Sequence, residues 1–280
     1  MPDLSFCAQQ VRRQDNDRFL CALFAPPERR EWLFALYAFN LELAAIPDKV
    51  SELPLGRMRL QWWREAVEGD LKGPAARHEV ARPLARAIAE TPLAAQSLLG
   101  LIDSREIDLN DQPPIRDLDA IEGYAASTAG ALADMSLDVL GVGDPAARDA
   151  ARHVGVACAG LGIIRSIPFH AARRRLYLPT DSLRAAGLTV EEIFAGTASP
   201  KLRRVVIEIA DWSRQHLKVA RGGCGELPAM ALPALLPAVL ADIHLERLRG
   251  ADFNPFDRKI ARPAPWRVAR LWLHARRGRF

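Results

Sequence analysis

Apolar residues recur at intervals of three and four along most of this 280-residue chain, and strict alternation is rare. Trp32 to Ile46 (WLFALYAFNLELAAI) is apolar almost all round, the pattern of a helix buried inside a bundle rather than laid on its surface. Arg59 to Leu71 sets Leu60, Trp63 and Val67 on one face, and Pro92 to Leu109 repeats that spacing. Further helices are predicted over Ala120 to Leu140, Ala146 to Ile167, Lys201 to Arg221, where Gly222-Gly223 supplies the stop, and Ala231 to Arg249, started or kinked near Pro237. Asn-Gly and Asp-Gly hairpin signals are absent, so the expected fold class is all-α. The joints at Gly69 to Pro74, Gln112 to Pro114 and Gly141 to Pro145 are loop-sized, which predicts a single domain over residues 1–280.

Within the apolar run, Asn40 and Glu42 need partners. A buried carboxylate must be paired, hydrogen-bonded or protonated, so Glu42 belongs either to an internal polar network or to a wet cavity.

Charge adds a second feature. The net charge is +4, but residues 258–280 hold eight Arg or Lys and no Asp or Glu, which leaves the preceding residues at about −4. In this basic segment Val268, Leu271, Trp272 and Ala275 recur at helical spacing while Arg267, Arg270, Arg276 and Arg277 take other positions. Such a helix either docks on the core with solvated arginines or adsorbs to an anionic membrane surface. With no base-reading motif beside it, nucleic acid is not an expected partner. The N-terminus lacks an apolar signal core and carries Asp3, Asp15 and Asp17, which points to a cytoplasmic location. Leu227 to Ala241 is short for a bilayer and broken by Pro228, Pro233 and Pro237, so no membrane-crossing helix is expected.

Candidate chemistry is sparse. Cysteines at 7, 21, 158 and 224 show no CxxC spacing and read as free thiols; the histidines form no HExxH pair, so no zinc site is expected. The carboxylate pairs Asp134/Asp138, Asp103/Glu106 and Glu65/Glu68 each share a helix face, as ordinary solvated or ion-paired patches do.

The words LFALYAFNLELAAIPDKVSE, RLQWWREAVEG, LLGLIDSREIDL, GYAASTAGALADMSLDVLG and RRLYLPTDSLRAAG, in that order, are what make the chain resemble the squalene/phytoene synthase family over nearly its whole length. The resemblance implies an isoprenoid-synthase-like helical bundle around a central cavity, where aspartates four apart on two facing helices hold Mg²⁺ against a departing diphosphate. Matching Tyr37-Ala38-Phe39 to the family frame puts the first motif, DDxxD, at Ala44, Ala45 and Asp48. Matching Arg175 to Pro179 puts the second, NxxxDxxxD, at Gly162, Ser166 and His170. Only Asp48 retains a carboxylate, so neither catalytic residues nor a metal nor another cofactor is expected, Mg²⁺ being needed only by an active enzyme. Pro168 deepens the departure: proline inside a helix costs about 3 kcal/mol, which predicts a bend or stop that turns His170 off the face of Gly162 and Ser166. Near this degenerate site lie Arg165, Arg173, Arg174 and Arg175 with Tyr177, read either as a metal-free pocket for a diphosphate or lipid head, or as a loop of solvated arginines.

FNLELAAIPDKVSE, RLQWWRE and IIRSIPFHAARRRLYLP are most similar to a degenerate branch of the family that includes the mitochondrial assembly factor of respiratory complex I. That likeness implies a non-catalytic role in building the NADH:quinone oxidoreductase. A subunit or assembly intermediate is then the partner, and the place is the cytoplasm or the inner face of the cytoplasmic membrane. The alternatives are a metal-independent isoprenoid- or lipid-binding protein and an active Mg-dependent head-to-head prenyl synthase.

Overall fold

Side-chain caps start several of the helices. The computed structural model describes residues 4–50, 52–110, 115–223 and 227–280. Ser5 and Asp15 accept backbone N–H groups to open α1 (Phe6–Gln14) and α2 (Asn16–Ala22). Pro27 sits in the first turn of α3 (Pro27–Ala44), which is followed by α4 (Ile46–Lys49), α5 (Leu53–Glu68), α6 (Ala81–Glu90) and α7 (Ala95–Ser104). Asp117 caps α8 (Leu118–Ala125), which passes through a wide turn at Ala126–Gly130 into α9 (Ala131–Leu140). Asp144 caps α10 (Pro145–Ala172); α11 (Thr180–Ala186) follows, and Thr189 with Glu192 forms a reciprocal capping box on α12 (Val190–Phe194). Ser199 caps α13 (Pro200–Gly222); α14 (Leu232–Leu235), α15 (Pro237–Gly250), α16 (Arg258–Ala261) and α17 (Arg267–Arg276) complete the chain. Every regular element among the described residues is helical.

Helix α3 is the central helix, as its all-round apolarity predicts: Leu33 to Asn40 are buried without a break, and α3 packs against α1, α6 and α9. Asn40 accepts a hydrogen bond from Arg105 at 2.8 Å within a buried network, whereas Glu42 accepts one from Gln10 at 2.9 Å with half-exposed Lys49 3.6 Å away and lines an open pocket with Trp62 and Trp63. The most extensive helix pairing joins α10 to α13. It depends on a missing side chain: a Cβ at Gly160 would fall 2.4 Å from Ser213 Oγ of α13. A second close approach sets α10 against the Ala126–Gly130 turn, where a Cβ at Gly155 would fall 2.4 Å from the carbonyl oxygen of Ala129.

The structure departs from the sequence reading in several places. Helix α10 continues through Pro168 to Ala172 instead of bending off. The proline removes one hydrogen bond in the last turns, while buried Ile163, Ile164, Ile167 and Ala171 hold this end of the helix against the core. Helix α5 starts at Leu53, ahead of the predicted Arg59, and α1, α2, α6, α11 and α12 had no predicted counterpart. Leu227 to Ala241 is short and proline-broken in sequence, but Ala229–Gly250 forms successive helical segments that, like Pro145–Ala172, are long and apolar enough to cross a membrane, although 61% and 56% of their apolar windows are buried inside the bundle. Cys7, Cys21 and Cys158 are free thiols; Cys224 and the Gln112 to Pro114 joint lie outside the described residues.

Candidate functional site

A cavity of about 450 Å³ opens between α3, α10 and α15. Five of the six motif positions line it: Ala44 at the end of α3, Asp48 in α4, and Gly162, Ser166 and His170 along one face of α10. Ala45 is not on the wall, and His170, expected off the face, is on it because α10 stays helical past Pro168. A Cβ at Gly162 would meet no atom within 4 Å, so this position looks onto open space.

The cavity wall carries Asp15, Asp17, Asp48 and Asp108 against Arg18, Arg105, Arg165 and Arg175. Each carboxylate is already answered. Asp15 pairs with Arg18 at 2.5 Å, and Asp48 accepts from Arg175 at 2.8 Å, with Arg173 at 3.8 Å. Arg175 also donates to the Pro47 carbonyl at 2.7 Å, so it clamps α4 to the segment after α10. Asp108 accepts from Arg105 at 3.0 Å, from the Tyr124 hydroxyl at 2.9 Å and from the Tyr177 hydroxyl at 3.3 Å. Asp17 gathers Arg267 at 3.0 Å and both Arg165 and His244 at 3.3 Å.

These contacts set the titration. Burial alone would raise the Asp17 carboxyl, but the hydrogen bond and charge of His244, with Arg165 and Arg267, outweigh it and hold the group at about 2. Burial pushes His170 below its ordinary value, which keeps the ring neutral near pH 7; it lies against Tyr177 with ring centroids 4.5 Å apart. Burial, reinforced by the negative charge of Asp108, raises Tyr177, and burial raises Tyr124 despite nearby Arg105, so both phenols stay protonated.

Would a Mg²⁺ ion fit these residues? It needs near-octahedral oxygen coordination anchored by carboxylates. Here the carboxylates are engaged by guanidinium groups of the same chain, the second motif offers no carboxylate, and no group of three or more His, Cys, Asp or Glu among the described residues could hold a metal ion. The donor set does not fit.

The predicted basic cluster divides. Arg165, Arg175 and Tyr177 reach the cavity wall, whereas Arg173 covers the Phe169 ring at 3.7 Å and Arg174, held at φ 53°, covers Phe194 at 4.9 Å. Two of the three acid pairs on other helix faces are ion-paired: Asp134 and Asp138 by Arg148 at 2.9 and 2.5 Å, and Asp103 and Glu106 by Arg64 at 2.5 and 3.6 Å. In the third pair, Glu65 accepts from Gln61 at 2.9 Å. Sequence reasoning missed Arg18, Arg105, Asp108, Tyr124 and His244. The one signal was the need of Asn40 for a buried partner, which Arg105 meets.

The squalene/phytoene synthase model matches residues 11–270. NADH dehydrogenase (ubiquinone) complex I, assembly factor 6, of Bos taurus is 33% identical over 275 residues, covering 98% of this chain and 82% of the relative. Phytoene synthase 1, chloroplastic, of Arabidopsis thaliana is 28% identical over 262 residues, covering 90% of this chain and 61% of that protein. The crystal structure of a dehydrosqualene synthase in complex with ligand superposes with a TM-score of 0.83 at 17% identity, over 97% of this chain and 94% of that one, which establishes the shared fold.

Proposed function

We propose, from the premise that the chain belongs to the squalene/phytoene synthase family, that it is a catalytically degenerate member that serves assembly of the respiratory NADH:quinone oxidoreductase. The observation that carries the degenerate part is the self-neutralised cavity: at the positions where carboxylates would gather metal and diphosphate, Asp48 is held by Arg175 and the rest are Ala, Gly, Ser and His. Without a metal, departure of a diphosphate loses its main electrostatic support. The assembly part is supported by relatives named for assembly of complex I, which match at higher identity than the phytoene synthase does. On this reading the partner is a subunit or assembly intermediate of the complex. The site of action is the cytoplasm and the inner face of the cytoplasmic membrane.

A second reading, a metal-independent binder of an isoprenoid or other lipid, is favoured by the cavity itself, which has apolar walls beside Arg165, Arg175 and Tyr177. It is weakened by the balance of aspartates and arginines there, which leaves little net positive charge for an anionic head.

Diphosphate release from farnesyl and geranylgeranyl diphosphate, with Mg²⁺ or Mn²⁺ and an active family member as control, tests the degenerate reading. Release at background is expected. Release above background with a coupled prenyl product would overturn it and restore the enzyme reading.

A further inference from the structure

Helix α17 docks with Arg267 and Arg270 turned in and Trp272 turned out. The inner side is fixed by Leu271, fully buried in a cluster with Leu236, Val239, Leu240 and Ile243. On the same side Arg267 donates to Asp17 at 3.0 Å and to Asn16 at 2.6 Å, and Arg270 reaches Glu246 at 2.6 Å. At about 100° per residue, positions 268, 272, 273 and 276 then share the opposite arc. Val268 and Trp272 are 53% and 54% exposed, Leu273 is 39% exposed, and Trp266 just before the helix is 53% exposed. The sequence places Val268 and Trp272 with Leu271 and Ala275 on one docking face; the structure splits that face, because the ion pairs of Arg267 and Arg270 fix the rotation of the helix.

One indole and two aliphatic side chains on the outward arc, with a second exposed indole at the helix start, form a patch of the kind that marks an interaction site. Charge identifies its occupant. Arg258, Lys259, Arg262, Arg276, Arg277 and Arg279 are all exposed, and residues 258–280 contain no Asp or Glu. The Arg276 guanidinium lies over the Trp272 ring at 5.3 Å, so cation and indole are presented together. Indoles favour the headgroup level of a bilayer, and each exposed cation adds attraction to an anionic leaflet. We propose that the outer arc of α17, formed by Val268, Trp272 and Leu273, together with Trp266 at the helix start and Arg276 and Arg277 at its end, docks on an anionic phospholipid bilayer. Asp17 joins Arg267 of this helix to Arg165 of the cavity wall, so the docked helix lies beside the cavity.

This deepens the peripheral location proposed above and rests on it, but its test needs no respiratory complex, so its failure leaves the assembly reading standing. The full chain is floated with vesicles of phosphatidylglycerol mixed with phosphatidylcholine, and with vesicles of phosphatidylcholine alone. Flotation with the mixed vesicles is expected, weakened by salt, and W266A/W272A lowers the partition coefficient about tenfold or more while circular dichroism and thermal midpoint stay unchanged. R276Q/R277Q is expected to weaken binding to the mixed vesicles only. A wild-type chain that does not float, or a W266A/W272A chain that floats as well as wild type, overturns the proposal. So does a concentration-dependent dimer that W266A/W272A dissolves without any flotation, since a second copy would then cover the face.

Discussion

Arg105 and Asp108 are nearly sealed from solvent, with side chains 11% and 6% exposed, so removing either leaves a charge without its counterpart in a low-dielectric setting. Asp108→Ala is expected to cost roughly 3–5 kcal/mol in urea unfolding, because it strips Arg105 of its ion pair and Tyr124 and Tyr177 of their acceptor. Asp48→Asn, at a carboxylate 37% exposed, is expected to cost about 1 kcal/mol or less in the same measurement. Asp17 gives a pH signature. Its folded value, about 2, lies below the ordinary 3.8, so its stabilisation is present above about pH 4 and is lost as pH falls through 2. The gap corresponds to roughly 2 kcal/mol, and Asp17→Asn is expected to flatten this acid limb of the stability curve.

At the scale of the elements, two glycines on α10 behave oppositely. A Cβ at Gly155 would strike the Ala129 carbonyl, which is backbone and cannot swing aside, so Gly155→Ala is expected to destabilise by about 1–3 kcal/mol. Gly162 faces the cavity, and Gly162→Ala is expected to be neutral or to stabilise by up to about 1 kcal/mol through helix propensity, as read from thermal midpoints. The long apolar helices were legible because their periodicity comes from burial, and α3 announced its central place by having no polar side. Short helices such as α11 and α12, five to seven residues long, depend on caps and tertiary contacts and leave too little pattern to read. The local cost of Pro168 is legible in the sequence, but the packing of Ile163, Ile164 and Ile167 that holds the helix through it is not.

For the whole molecule, the motif alignment located the cavity well: Ala44, Asp48, Gly162, Ser166 and His170 converge on it from three separate helices. The partners that neutralise it were illegible, since Asp17 meets Arg267 across 250 residues and Arg105 meets Asn40 across 65, distances over which a single sequence carries no pairing signal. The orientation of α17 was hidden for the same reason, as Asp17 and Glu246 decide which arc faces out. What results is a family fold whose interior is tied off by its own ion pairs and whose outer helix presents an aromatic, basic face. On the proposed function, the molecule serves by being present in assembly rather than by turning over a substrate. In a host that normally makes the chain, the amount of fully assembled NADH:quinone oxidoreductase is measured after the chain is deleted and after it is returned as wild type or as Asp48→Asn. The assembled complex is expected to fall on deletion and to be restored equally by both forms. Full assembly without the chain, or failure of a folded Asp48→Asn chain to restore it, would contradict the account.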